Sequence, residues 1–157
     1  MKIIFIALGS NLGDRQQHLK SAQEELKKIL IDVKASPIYE TSPCYEIHQP
    51  DFLNQVICGY LCDENLSPEN LLHILKNIEI KMGRIPSYRN GPRCIDLDLL
   101  FFENEIQSSD LLTIPHPRLY ERLFVLEPLC DLAPHFLCPI TGKPMQSFLD
   151  ELKNTSH

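Results

Sequence analysis

Asp96 and Asp98 stand two residues apart in the run Cys94-Ile95-Asp96-Leu97-Asp98-Leu99-Leu100. On a strand both carboxylates share one face, with Cα atoms roughly 6.6 Å apart at ~3.3 Å per residue, while Ile95, Leu97 and Leu99 fill the other. Two carboxylates held side by side repel unless a cation sits between them. Mg²⁺ is the natural one, a hard ion that takes carboxylate and phosphate oxygens together, and two such ions can clamp a polyphosphate for in-line displacement. A solvated strand face also tolerates paired aspartates, although Asp is disfavoured in strands. The loop before the pair carries Arg84, Arg89 and Arg93 with no acidic residue among them, and the run Pro115-His116-Pro117-Arg118 through Arg122 adds a histidine and two more arginines. Guanidinium forks match phosphate oxygens. Any one of these arginines is equally an ordinary surface residue, and His116 alone is equally a buried, hydrogen-bonded one.

Other motifs are less specific. Gly9-Ser10-Asn11-Leu12-Gly13-Asp14 invites a phosphate-loop reading but lacks the terminal Gly-Lys-Ser/Thr, so a strand-to-helix turn capped by Asp14 explains it. Thr41, Ser42, Pro43, Phe52 and Asn54 suit either loop packing or a small aromatic-ligand site. The six cysteines, Cys44, Cys58, Cys62, Cys94, Cys130 and Cys138, show no paired zinc spacing and are read as reduced, mostly buried thiols.

The elements that must position these groups follow from apolar periodicity. Residues 2–9 read as a buried first strand, and residues 15–31 as a helix with Leu19, Ala22, Leu26 and Ile29 on one face. Residues 33–41 read as a strand interrupted at Pro37, hence an edge or a bulge, and residues 52–62 as a third strand. Ser67 and Pro68 start a helix whose apolar stripe, Leu71, Leu75, Ile78 and Met82, stops at Gly83. Residues 94–102 are a strand that Glu103-Asn104 can turn into a short partner near Ile106. Residues 84–93 form a second long loop, and two irregular segments, 42–51 and 84–90, flank the proposed site and are expected to close over ligands. The order strand, helix, strand, strand, helix, strand is the split β-α-β pattern. It predicts an α+β ferredoxin-like domain with an antiparallel sheet, helices packed on it and a C-terminal extension, all one domain over residues 1–157.

With 157 residues, 43% hydrophobic and 23% charged, the chain has the composition of a globular protein. No apolar run approaches the ~18 residues of a membrane span, and the residues before the first strand do not read as a signal peptide. A formal net charge of −6 argues against nucleic acid or an anionic membrane as partner. A cytoplasmic monomer acting on small molecules is the expectation. The competing reading is a non-catalytic ferredoxin-like module for a small ligand or RNA, but RNA would want exposed sheet aromatics and a basic face.

Taken together, the pieces resemble the 6-hydroxymethyl-7,8-dihydropterin pyrophosphokinase family over nearly the full length. They are Ala7-Leu8-Gly9-Ser10-Asn11-Leu12-Gly13-Asp14, Tyr39-Glu40-Thr41-Ser42-Pro43, Gln49-Pro50-Asp51-Phe52-Leu53-Asn54, Glu79 with Gly83-Arg84, Gly91-Pro92-Arg93 with Asp96-Leu97-Asp98, and Ile114-Pro115-His116-Pro117-Arg118 with Arg122 and Phe124. Each is weak alone; their order and spacing make the likeness specific. The resemblance implies a ferredoxin-like enzyme of folate biosynthesis that moves the terminal diphosphate of ATP to the pterin hydroxymethyl group and releases AMP. By matching position, Asp96 and Asp98 resemble ligands of two Mg²⁺ ions. Arg84 and Arg93 resemble the arginines that hold and neutralise the transferred phosphates, with His116, Arg122 and Glu79 on the nucleotide side. Asn54 resembles the amide that reads the pterin edge. Phe52 and Phe124 resemble the walls of its ring, with Thr41, Ser42 and Cys44 lining the same pocket. Pro86, Asn90 and Leu111 stand where some members carry an arginine, a tryptophan and another arginine.

Overall fold

Ile3–Ser10, β-branched and apolar except at its end, forms strand β1. The computed structural model describes residues 1–42, 50–83 and 94–155. Asp14 then accepts the Gln17 N–H at 3.2 Å and caps helix α1, Arg15–Leu26. The helix stops at Leu26, short of the expected residue 31. Leu30 is drawn instead into strand β2, Leu30–Ala35, opposite Leu61, and Ile29 packs on the core from the turn.

The interruption at Pro37 is deeper than a bulge. The expected strand 33–41 is split into the end of β2 and a separate β3, Tyr39–Thr41, both paired antiparallel with β4, Phe52–Leu61. Proline has no N–H to give a ladder, and the Ser36 hydroxyl bridges the gap: it accepts the Val56 N–H at 3.0 Å and donates to the Pro37 carbonyl at 2.8 Å. β2 is an edge strand, and its register shifts between Ile31 and Lys34, where Asp32 takes φ 54°.

Helix α2, Pro68–Lys81, starts as expected, with the Ser67 hydroxyl accepting the Asn70 N–H at 3.1 Å. Strand β5, Asp96–Phe102, completes the order β2-β4-β1-β5. Glu103 closes its far end: its N–H donates to the Ile3 carbonyl and its carboxylate accepts the Ile3 N–H, each at 2.7 Å. The chain therefore leaves the sheet, and the expected partner near Ile106 is β6, Gln107–Ser108, which pairs with β7, Thr113–Ile114, and not with β5. A 3-10 turn at Leu119–Glu121 leads to α3, Leu123–Leu132, and α4, Met145–Thr155.

Side-chain alternation gives the sheet two apolar faces. Ile4, Ile6, Leu8, Ile57, Leu97 and Leu99 pack with Leu19, Ala22 and Leu26 of α1 and Leu71, Leu75 and Ile78 of α2. Phe5, Val56, Cys58 and Phe101 pack with Leu126 and Leu129 of α3 and Met145 and Leu149 of α4. The described cysteines are free thiols. Cys58, Cys130 and Cys138 are buried, while Cys62 is exposed.

Candidate active site

Gly9 of β1 is in register with Asn54 of β4 on one side and with Asp96 of β5 on the other. Directly opposed residues of antiparallel strands point to the same face, so Asn54 and Asp96 share a face with Gly9 between them, their Cα atoms roughly 10 Å apart at ~4.8 Å per strand. Asp98, opposite Ala7, joins them, while Leu97 and Leu99 are buried on the other face with α2. The carboxylates of Asp96 and Asp98 thus stand side by side, as the alternation requires.

Asn54 is 7% exposed and donates from Nδ2 to Thr41 Oγ1 at 2.7 Å, a diagonal contact across the β3–β4 ladder. Its Oδ1 and the Phe52 ring lie over Gly9, where a Cβ would stand 3.6 Å from each. The missing side chain leaves space between an amide and an aromatic ring. Thr41, Phe52 and Asn54 are thus neighbours on one face, and Ser42 is exposed at the end of β3. Cys44, Arg84, Arg89 and Arg93, like Pro86 and Asn90, lie outside the described residues.

A cavity of about 330 Å³ opens beside β5 between α2 and the segment 109–117. Leu72, Leu99, Leu111 and Leu112 give it apolar walls. Lys76, Asp98, Ser109, Thr113 and His116 give it polar groups. Glu79 does not line it. That residue is 1% exposed; its Oε2 accepts the Leu97 N–H at 2.8 Å, and its Oε1 lies 3.4 Å from the Lys76 ammonium. A carboxylate of α2 therefore fixes the backbone between the two aspartates.

Burial, and then the neighbouring Asp96, raise the Asp98 carboxyl to about 7, while Lys76 and Arg122 pull the other way. Burial and then the Arg122 guanidinium lower His116 to about 4. At neutral pH its imidazole is uncharged. Its Nδ1 accepts the Arg118 N–H at 3.2 Å, which leaves the ring proton on Nε2 as a donor. Arg122 also stands over Phe124, 5.7 Å from guanidinium carbon to ring centre.

Asp96 and Asp98 offer hard oxygen donors whose crowding a divalent cation would relieve. Among the described residues no group of three His, Cys, Asp or Glu is arranged to cage a metal. Sequence reasoning passed over Lys76, although its place one helical turn before Glu79 was a usable signal. The walls Leu72 and Leu112 carried none, since they follow from the path of the chain.

The fold is shared with solved structures. A crystal structure of a Plasmodium falciparum HPPK-DHPS point variant with pteroate superposes on 99% of this chain and 44% of that one, with a TM-score of 0.75 at 15% identity. The class is therefore that of ferredoxin-like α+β domains. Residues 5–134 match the model of 7,8-dihydro-6-hydroxymethylpterin-pyrophosphokinase, and the chain belongs to that family. It is 36% identical over 151 residues to 2-amino-4-hydroxy-6-hydroxymethyldihydropteridine pyrophosphokinase of Aquifex aeolicus, covering 96% of this chain and 92% of that protein. It is 45% identical over 155 residues to the folic acid synthesis protein fol1 of Schizosaccharomyces pombe, covering 96% of this chain but 20% of that protein. The chain thus spans about a fifth of the larger curated relatives that it matches and most of the bacterial one. Among the described residues no helix is long and apolar enough to cross a membrane.

Proposed function

We propose that this chain transfers the terminal diphosphate of ATP to the hydroxymethyl group of 6-hydroxymethyl-7,8-dihydropterin, releasing AMP, as a step of folate biosynthesis. The observation that carries the reading is the rung Asn54–Gly9–Asp96, which sets an amide suited to a heterocycle edge beside an acidic pair suited to polyphosphate. Family membership supports the same reaction. The pterin lies against Asn54 and Thr41, with Phe52 and Phe124 as ring walls, and Ser42 and Cys44 are assigned to the same subsite by the family resemblance. The nucleoside enters the cavity between Leu72 and Leu111, and its phosphates run past His116 and Arg122 toward the acidic pair.

In the transfer, the hydroxymethyl oxygen bonds to the β-phosphorus, the bond from that phosphorus to the bridging oxygen of AMP breaks, and the hydroxyl proton leaves to solvent. Positioning and charge neutralisation supply the acceleration, with no covalent intermediate. Asp96 and Asp98 would hold two Mg²⁺ ions, which when bound neutralise phosphate charge. Arg84 and Arg93 neutralise the transferred group. His116 gives its Nε2–H to a phosphate oxygen, and Glu79 acts at one remove by holding the Leu97 amide. A coupled assay for AMP with ATP, Mg²⁺ and the pterin tests the proposal. Pterin-dependent AMP is expected; ADP, or no pterin-dependent product, overturns it.

A further inference from the structure

The turn 9–15, which the sequence explains as a strand-to-helix connection, does more in the structure. Asn11 is fully buried, and its Nδ2 donates to the Pro50 carbonyl at 3.2 Å. Arg15 Nη1 donates both to Glu40 Oε2, at 2.7 Å, and to the Asp51 carbonyl, at 2.8 Å. The β3–β4 ladder ends at the pair Thr41–Phe52, so the carbonyls of residues 50 and 51 lie beyond its last rung. One turn thus grips both strands of the ribbon at the end where Thr41, Phe52 and Asn54 sit. Glu40 points away from Thr41 on alternating β3, so the grip comes from the face opposite the pterin groups.

We propose that Arg15, supported by Asn11, is a positioning residue for the pterin subsite: it fixes the spacing of the β3–β4 ribbon and so the relation of Asn54 and Thr41 to Gly9. The inference rests on the pterin reading given above. Stability alone does not account for the arrangement. The Arg15 and Glu40 side chains are 30% and 53% exposed, and ion pairs so exposed contribute little to folding. Their bonds instead tie the start of α1 to Glu40 and to Asp51, one residue from Thr41 and from Phe52, where small displacements act on the ligand.

The test is a pair of titrations, 6-hydroxymethylpterin by fluorescence and a non-hydrolysable ATP analogue with Mg²⁺ by calorimetry, on the parent, Arg15→Ala, Arg15→Lys, Asn54→Ala and the double variant Arg15→Ala/Asn54→Ala. Arg15→Ala is expected to weaken pterin binding about tenfold, with nucleotide affinity within about twofold of the parent. Arg15→Lys, which can still reach one of the two acceptors, should recover part of the loss. Because both residues act on one contact, Arg15→Ala should cost less in the Asn54→Ala background than in the parent. Should Arg15→Ala fail to fold, Glu40→Gln keeps the shape and removes only the charge, and is expected to weaken pterin binding alone. Parent-like pterin affinity in Arg15→Ala, with Asn54→Ala impaired, overturns the positioning role and leaves the pterin site standing; equal weakening of both ligands also overturns it. Parent-like pterin affinity in Asn54→Ala overturns the pterin reading itself.

Discussion

Asn54 and Asp96 are joined through Gly9 by two antiparallel ladders, so the distance between an amide that can read a heterocycle and a carboxylate that can bind a metal is set by sheet geometry. A strand rung varies little, which suits a reaction that depends on placing an oxygen in line with a phosphorus.

Gly9 is the element of that rung most open to test. Its backbone is not in the left-handed region, and a Cβ would meet Asn54 Oδ1 and the Phe52 ring at 3.6 Å, an ordinary contact. Gly9→Ala should therefore fold normally and weaken pterin binding slightly. Gly9→Val suits a strand, but its extra methyls enter the space between the amide and the ring. It should keep the parent circular dichroism and lose about tenfold or more in pterin affinity, a range set by roughly 1–3 kcal/mol for a lost buried hydrogen bond. Undiminished pterin binding in Gly9→Val would place the ligand elsewhere.

The aspartate pair, both helix starts and the strand alternation were legible in the sequence because each depends on near neighbours: a period of two, a Ser-Pro cap, an Asp cap. What was not legible depends on distant chain. Helix α1 stops at Leu26 because Leu30 finds Leu61, thirty-one positions later, and no residue in 27–31 forbids a helix. The segment 103–114 leaves the sheet because Glu103 bonds back to Ile3. The cavity beside β5 was half legible. His116 and Asp98 stood out by type, whereas Leu72, Ser109 and Thr113 are common residues that only the fold brings together. Arg15 was visible only as the residue after a helix cap.

Lys76 is expected to act on the nucleotide and not on the pterin. Its ammonium lines the cavity 3.4 Å from the buried Glu79 carboxylate and within electrostatic reach of Asp98. Lys76→Ala should raise the KM for ATP about three- to tenfold, the scale of one partly exposed charge contact, and leave the pterin KM near that of the parent. A change confined to the pterin KM would show that the cavity takes the other substrate.

His116 gives the folded protein an acid-sensitive margin. Its folded pKa of about 4 lies below the ordinary histidine value of about 6.5, chiefly through burial. Between these values the unfolded chain binds a proton that the folded chain refuses, so the contribution is present above pH 6.5 and is lost as pH falls toward 4. Thermal melts at pH 7.5, 6 and 5 should show the parent losing about 1–2 kcal/mol more than His116→Gln over that range. Parallel losses in the two proteins would mean that the imidazole is not held neutral by its surroundings.

The acidic pair should set stability against activity. Burial and Asp96 hold the Asp98 carboxyl near 7, well above the ordinary 3.8, so in metal-free protein its ionisation costs stability as pH rises from about 4 through 7. Asp98→Asn removes that charge at nearly constant shape. Without Mg²⁺ at pH 8, the variant should melt above the parent, and the gap should narrow at pH 5, where the parent carboxyl takes up its proton. The same substitution removes a hard-ion ligand. Turnover of Asp96→Asn and of Asp98→Asn should each fall at least about a hundredfold, equal to roughly 2.7 kcal/mol of barrier, with far-UV circular dichroism unchanged. Added Mg²⁺ should raise the melting temperature of the parent more than that of either variant, because only an intact pair binds the ion well. Near-parent turnover in either variant at low Mg²⁺ would remove the pair from the reaction, and a metal-free Asp98→Asn that melts below the parent at pH 8 would show that the carboxylates are not in conflict.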